Sequence, residues 1–359
     1  METAFTRLVG VRHPVVQTGM GWVAGPRLVS AVANAGGLGI LASATMTLPE
    51  LRSAVAEVRS RTDAPFGVNL RADAVDADER VRLLIDAEVR VASFALAPSP
   101  SLIGTLKDAG VLVVPSVGAV RHAEKVAAWG ADAVIVQGGE GGGHTGQVAT
   151  TLLLPAVVDA VDIPVVAAGG FYDGRGLAAA LAYGAAGIAM GTRFLLTAES
   201  TVPQAVKEAY LARGLADTVV TTRVDGMPHR VLRTELVESL ERSGRAAALV
   251  RAVGNAARFR RLTNLSWRSM IREGLAMRHN RKLTWSQVIM AANTPMLLRS
   301  GLVEGRTDAG VLASGQVVGA IDDLPTCAAL ITRIVTNATH ILTTLASPPF
   351  ETTESTQVP

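Results

Sequence analysis

The chain has 359 residues, 49% of them apolar, and a net charge of +3; it can bury a large core, and its length suits one barrel of about 250 residues plus an appendage better than two separate domains. The mean hydropathy of +0.32 comes from Ala, Val, Leu and Gly spread along the chain, and the longest uncharged stretch, Gly176–Thr192, is too short and glycine-interrupted to span a bilayer. A single cysteine, Cys327, excludes an intramolecular disulfide and a cysteine-rich metal site; it reads as a buried, inert thiol, and no metal ligands are assigned.

From the start, Met1–His13 carries charges but no apolar stretch of the kind a secretory signal needs, so a cytoplasmic protein is expected. Short β-branched runs then recur at His13–Gln17, Leu38–Leu41, Phe66–Asn69, Val91–Phe94, Val111–Val114, Ala133–Gln137, Val165–Ala168 and Gly187–Met190. Each is followed by an Ala/Leu-rich segment with helical spacing, such as Pro26–Ala35 and Arg121–Trp129. Nearly continuous apolar strands alternating with helices are the pattern of βαβ units covered on both faces. Eight units before residue 200 predict a closed (β/α)8 TIM barrel, and no G-x-G-x-x-G follows the first strand to favour an open dinucleotide fold.

After Phe194 the rhythm changes. Residues 201–308 read as a helical insertion or cap, with helices expected at Thr234–Arg242, Ala246–Arg261 and Trp267–Met277 and no strand between Pro203 and Arg299. Residues 309–346 read as a segment returning to the barrel, and 347–359 as a disordered polar tail. Nine basic residues stand against the single acid Glu273 between Arg251 and Lys282, a local charge of +8.

Active sites of such barrels are built at the carboxyl ends of the strands. After the sixth run comes Gln137-Gly-Gly-Glu-Gly-Gly-Gly-His-Thr-Gly146, too rich in glycine for a helix or a packed strand and suited to a backbone that approaches a ligand closely. His144 in that loop is the candidate catalytic base. Gly169 and Gly170 follow the seventh run, and Ala189-Met-Gly-Thr192 closes the eighth. Loops at those two positions, with free N–H groups at a helix start, are the phosphate site of many barrels.

Taken in order, Val15-Val-Gln-Thr-Gly-Met20, Phe66-Gly-Val-Asn69, Gln137–Gly146, Ala167-Ala-Gly-Gly170 and Met190-Gly-Thr-Arg-Phe194 resemble the nitronate monooxygenase family over about residues 10 to 200, with Gly315–Gln316 fitting more loosely. The resemblance implies noncovalent FMN, O2 as oxidant and a histidine that removes an acidic proton, a role falling on His144. It implies that Met20 and Asn69 lie against the flavin ring, that Gln137 and Gly142 line the cofactor, and that Gly169, Gly170, Ala189, Met190, Gly191 and Thr192 hold its phosphate. Two departures stand out: Gly21-Trp22 after the motif methionine, and Glu-Gly-Gly-Gly-His-Thr-Gly in place of the commoner Glu-Ala-Gly-Gly-His-Arg-Gly. With the long basic insertion, they bring the chain closer to an actinobacterial branch that acts on coenzyme A thioesters in steroid-ring breakdown, where NAD(P)H becomes an alternative electron partner.

On this reading Trp22 and Tyr172 shape the substrate pocket, and Arg258, Arg260 and Arg261 bind coenzyme A phosphates through their planar forks; the bland alternative is a solvated helical face. Nucleic acid is set aside, because aromatic interleaving stops at Phe259, Trp267 and Trp285. A nucleotide dehydrogenase would need a loop cysteine, and Cys327 lies outside the loops. A noncatalytic ligand-binding barrel, colourless when purified, stays open, as does a homo-oligomer.

Overall fold

The computed structural model describes residues 1–95, 97–242 and 293–347. Leu38–Ala42 and Gly187–Met190 are buried along their whole length, so both faces need cover, a condition met by a parallel barrel wrapped in helices. Strands β1 (Val15–Gln17), β2 (Leu38–Ala42), β3 (Phe66–Leu70), β4 (Val91–Phe94), β5 (Leu112–Val117) and β6 (Val134–Gln137) pair in sequence. A two-residue strand, β7 (Gly143–His144), then stands outside the barrel, and β8 (Val165–Ala168) and β9 (Gly187–Met190) complete it. Closure is made by Val15 opposite Ile188 and Gln17 opposite Met190. All eight expected runs are barrel strands.

Alternate residues divide between two layers. Val16, Ile40, Val91, Val114, Ile135 and Val166 share an inner cluster with Phe5 and Val9 of the helix Ala4–Val9. Leu41, Val68, Ala92 and Val113 face outward onto Leu51, Val55, Leu84 and Leu106 of the surrounding helices. Each Val, Leu, Ile or Phe side chain among them contributes about 1.5–3 kcal/mol on full burial. The helices are locally specified: Thr47 accepts from Glu50 N–H, and the Glu50 carboxylate accepts from Thr47 N–H at 2.7 Å, so Leu48–Arg61 begins with both ends of a capping box made.

Beyond β9 the sequence expectation needs correcting. Strands β10 (Thr218–Thr221) and β11 (His229–Leu232) form an antiparallel pair, so the stretch from Pro203 is not purely helical. Their third partner is β7, with His229 opposite His144 and Arg230 opposite Gly143. The glycine loop therefore does carry a strand, contrary to expectation. Gly143 is tolerated there because the pairing is short and lies at the sheet's edge, where backbone hydrogen bonds rather than side-chain packing make the contact.

The helix Glu235–Arg242 follows. The expected helices Ala246–Arg261 and Trp267–Met277 lie outside the described residues, as does the tail from 348 onward. The chain is described again from the helix Asn293–Leu302, through a 3-10 turn at Gln316–Ala320, to the helix Cys327–Ala346. That last helix packs on Gly174–Ala182 so closely that a Cβ on Gly174 would lie 2.6 Å from the Ile334 carbonyl. Arg193, buried beside β9, fastens the returning chain through Asp323 at 2.8 Å and the Asp323 carbonyl at 2.7 Å. Cys327 is buried, and burial pushes its thiol up to about 12. Among the described residues no helix is long and apolar enough to cross a membrane.

Candidate active site

The carboxyl ends of β6, β8, β9 and β1 are neighbours, because Gln137 pairs with Ala168, Ala168 with Ala189, and Met190 with Gln17. Gly169 and Gly170 leave β8 with φ of +91° and +88°, a left-handed pair that only glycine adopts without strain. Thr150 Oγ1 lies 3.0 Å from the Gly169 carbonyl. On the adjacent strand Gly191 opens the short helix Thr192–Leu195, with Met20 Sδ and Thr18 Oγ1 each 3.4 Å from where its Cβ would stand. The two glycine turns thus share one end of the barrel and carry no side chains. The helix start after β8 is not free, however: Asp173 accepts from Arg175 N–H at 3.0 Å and Gly176 N–H at 3.3 Å, so an anion would meet the turns themselves.

The other expected cofactor residues surround these turns. Asn69 stands one residue before the end of β3 with its amide 3.4 Å from Ser93 Oγ, and a Cβ on Gly19 would stand 2.4 Å from Asn69 Cβ, so the Gly19–Met20 turn presses on it. Ala189 belongs to the inner cluster, whereas the Met190 side chain packs outward and its carbonyl accepts from Thr18 N–H at 3.2 Å. The Thr192 hydroxyl accepts from Gly315 N–H at 2.9 Å, tying the returning segment to the mouth. At the end of β1, Gln17 Oε1 is buried with no hydrogen-bond partner among the described residues. Side-chain-free turns and an orphaned buried acceptor at one barrel end fit a large, phosphate-bearing cofactor.

The glycine loop is held at several points. Gln137 Nε2 donates to the His144 carbonyl at 2.8 Å, and Arg230 reaches back from β11 to the Gly139 carbonyl at 2.9 Å. Glu140 sets its carboxylate on the start of the helix Thr150–Val158, accepting from Thr150 N–H at 3.0 Å and Thr150 Oγ1 at 2.7 Å, a placement that also suits the helix dipole. Gly142 meets the backbone of Ser314–Gly315 so tightly that a Cβ would lie 2.5 Å from Gly315 N. Gln137 therefore secures the loop, and Gly142 admits the returning chain.

At the end of this loop His144, its side chain 50% exposed, sits 2.6 Å through Nε2 from Oδ2 of the buried Asp225. Asp225 also accepts from Met227 N–H at 3.1 Å and from Thr294 Oγ1 at 2.9 Å. Burial works against its charge, yet the hydrogen bond from His144 and the nearness of the His144 and His229 rings outweigh that cost, so its pKa lies well below the carboxylate range. His229 is buried with its ring centroid 4.6 Å from that of His144; desolvation first, then the neighbouring His144, lowers its pKa despite Asp225. Ring nitrogens and carboxylate oxygen of the three all lie within 4.8 Å of one another. The 2.6 Å contact is nonetheless a hydrogen-bond length, shorter than the roughly 3.3 Å between two ligands of one tetrahedral zinc.

Asp225, His229 and Thr294 were not read from the sequence. A usable signal was present, since Asp225-Gly226, with Gly226 at φ +84°, stands between Thr218–Thr221 and His229–Leu232 as a hairpin turn would. Trp22, at φ +66°, donates from Nε1 to the Pro295 carbonyl at 3.1 Å and lies under the Arg299 guanidinium, so it anchors the helix Asn293–Leu302 to the barrel. Tyr172, half-buried after β8, accepts from Arg175 at 2.6 Å. Arg258, Arg260 and Arg261 lie outside the described residues.

The profile of the family described as nitronate monooxygenase matches residues 2–80 and 73–337. The chain belongs to the nitronate monooxygenase family. Within it, the chain is 69% identical over 350 residues, 96% of its length and 99% of the relative's, to the (3aS,4S,5R,7aS)-5-hydroxy-7a-methyl-1-oxo-octahydro-1H-indene-4-carboxyl-CoA dehydrogenase of Mycobacterium tuberculosis. A probable nitronate monooxygenase of Staphylococcus saprophyticus is 32% identical over 67% of the chain and 81% of its own length. The solved structure of FabK from Thermotoga maritima superposes with a TM-score of 0.78 at 35% identity, covering 96% of this chain and 98% of that one. The protein is an oxidoreductase of the nitronate monooxygenase family, and membership supports a flavin as its redox group.

Proposed function

We propose that the chain is an FMN-dependent dehydrogenase of a coenzyme A thioester borne on a fused bicyclic ring ketone, working in the cytoplasm. The observation that carries this reading is the 69% identity to the indene-carboxyl-CoA dehydrogenase, which extends over 99% of that protein and so includes the insertion. Relatives named for nitronates match a smaller share of the chain at about half that identity. In the substrate of that dehydrogenase the thioester carbonyl hangs on a ring carbon, and a hydrogen on that carbon is acidic because the carbonyl delocalises the charge left behind.

His144, exposed at the end of a firmly held loop, is suited to take that proton. FMN, when bound, would supply the acceptor for the hydride that leaves the neighbouring ring carbon as the carbon–carbon double bond forms. Gly169, Gly170 and the Ala189–Thr192 turn would hold its phosphate, and Met20, Asn69, Gln137 and Gly142 would lie around its ring. Trp22 fixes the helix Asn293–Leu302 beside the mouth and, with Tyr172, would frame the substrate. Arg258, Arg260 and Arg261 would meet the coenzyme A phosphates, and NAD(P)+ or O2 would reoxidise the cofactor.

The test is purification and turnover. The protein should be yellow, release FMN on denaturation, and oxidise a bicyclic acyl-CoA; His144→Ala should keep FMN and lose about 10²–10⁴-fold in kcat. A colourless protein that fails to take up FMN ends this reading. Unchanged, salt-insensitive affinity for free coenzyme A after converting Arg258, Arg260 and Arg261 to Ala ends the phosphate assignment alone.

A further inference from the structure

We propose that Asp225 is a positioning residue that selects the tautomer of His144, holding the proton on Nε2 and leaving Nδ1 as the atom that accepts a proton from substrate. The inference rests on His144 being the base and adds which ring nitrogen acts and what decides it. Asp225 is buried, and both of its oxygens already receive donors: Oδ1 from Met227 N–H, Oδ2 from the Thr294 hydroxyl. A carboxylate so placed stays ionised and only accepts. The 2.6 Å contact with His144 Nε2 must therefore be filled by an Nε2–H donor, and in a neutral imidazole the other nitrogen is then the acceptor. The ring is held in place at its backbone as well, by pairing with His229 and by the Gln137 amide on its carbonyl.

This geometry makes the isosteric variant more informative than a truncation. In Asp225→Asn the Met227 N–H requires an oxygen at the Oδ1 position, so the amide nitrogen must take the Oδ2 position, where the Thr294 hydroxyl can turn to accept from it. That nitrogen donates to His144 Nε2, which drives the proton to Nδ1 and leaves no basic atom on the ring nitrogen away from residue 225. Shape and burial hardly change.

The experiment uses the full chain loaded with FMN and labelled with 15N-histidine, at a pH where the His144 ring is neutral, its resonances assigned by their loss in His144→Ala. The wild-type ring should show Nε2–H and the Asp225→Asn ring Nδ1–H. Turnover of the bicyclic acyl-CoA by Asp225→Asn should fall about 10²–10⁴-fold in kcat, with KM and FMN content within twofold of wild type. Asp225→Glu, an acceptor only, should recover at least about tenfold of that loss. A wild-type ring carrying its proton on Nδ1, or an Asp225→Asn enzyme within twofold of wild-type kcat, overturns the proposal. The wild-type spectrum decides the matter even if the variant fails to fold. Should His144→Ala itself remain active, the reading of His144 as base falls first; loss in His144→Ala with full activity in Asp225→Asn removes only the role of Asp225.

Discussion

The barrel and the small outer sheet are both built from short strands, yet they depend on very different ranges of contact. Each barrel strand pairs with the next along the chain, apart from the closing pair and the step over β7, and buries itself under the helix beside it. The outer sheet joins Gly143–His144 to His229–Leu232 across more than eighty residues of intervening chain. The first region makes stability; the second brings Asp225 and His229 to His144.

Two substitutions should separate these contributions. Ile40→Ala, in the inner barrel cluster, should lower the free energy of unfolding by about 2–5 kcal/mol in denaturant titration, with kcat little changed. Arg230→Met should do the reverse. It removes the hold on the Gly139 carbonyl, a charged hydrogen bond worth about 1.5–3 kcal/mol, and should cost turnover at least about tenfold with a smaller loss of stability than Ile40→Ala. If Ile40→Ala proves harmless to stability while Arg230→Met unfolds the chain, the division of labour is mistaken.

A smaller effect follows from His229. Its pKa is lowered in the folded protein by burial, so below about pH 6.5 the unfolded chain takes up a proton that the folded chain refuses. Stability then falls as pH drops through that window and is recovered above it. Asp225 acts at lower pH: its depressed pKa stabilises the fold above the usual carboxylate range, and that contribution is lost on further acidification. His229→Leu should flatten the unfolding free energy between about pH 6.5 and pH 5; a slope identical to wild type would remove His229 as its source.

The barrel was legible because its signal is local: an apolar run, a turn, a helical stripe, repeated. The glycine turns at Gly169–Gly170 and Gly191 were legible for a related reason, since residues after a barrel strand must lie at its carboxyl end, and neighbouring strands bring such ends together. The sheet around His144 was not. Thr218–Thr221 is short, His229–Leu232 is broken by His and Arg, and the third strand lies inside a glycine loop, so no period in the sequence marks their pairing. Gly142 and Thr192 stood out as residues, but their contacts to Gly315 depend on the returning chain, whereas the Gln137 amide holds His144 from within the same loop.

From sequence alone come the eight strands, their order, the glycine turns and the prominence of His144, because each follows from residue type and spacing along a few turns of chain. Tertiary structure alone decides that Asp225 faces His144 Nε2, that Trp22 is anchored to Pro295, and that Gly315 reaches Thr192. Those contacts join residues far apart in the chain, where only the closed barrel and the chain folded back over it set the distance.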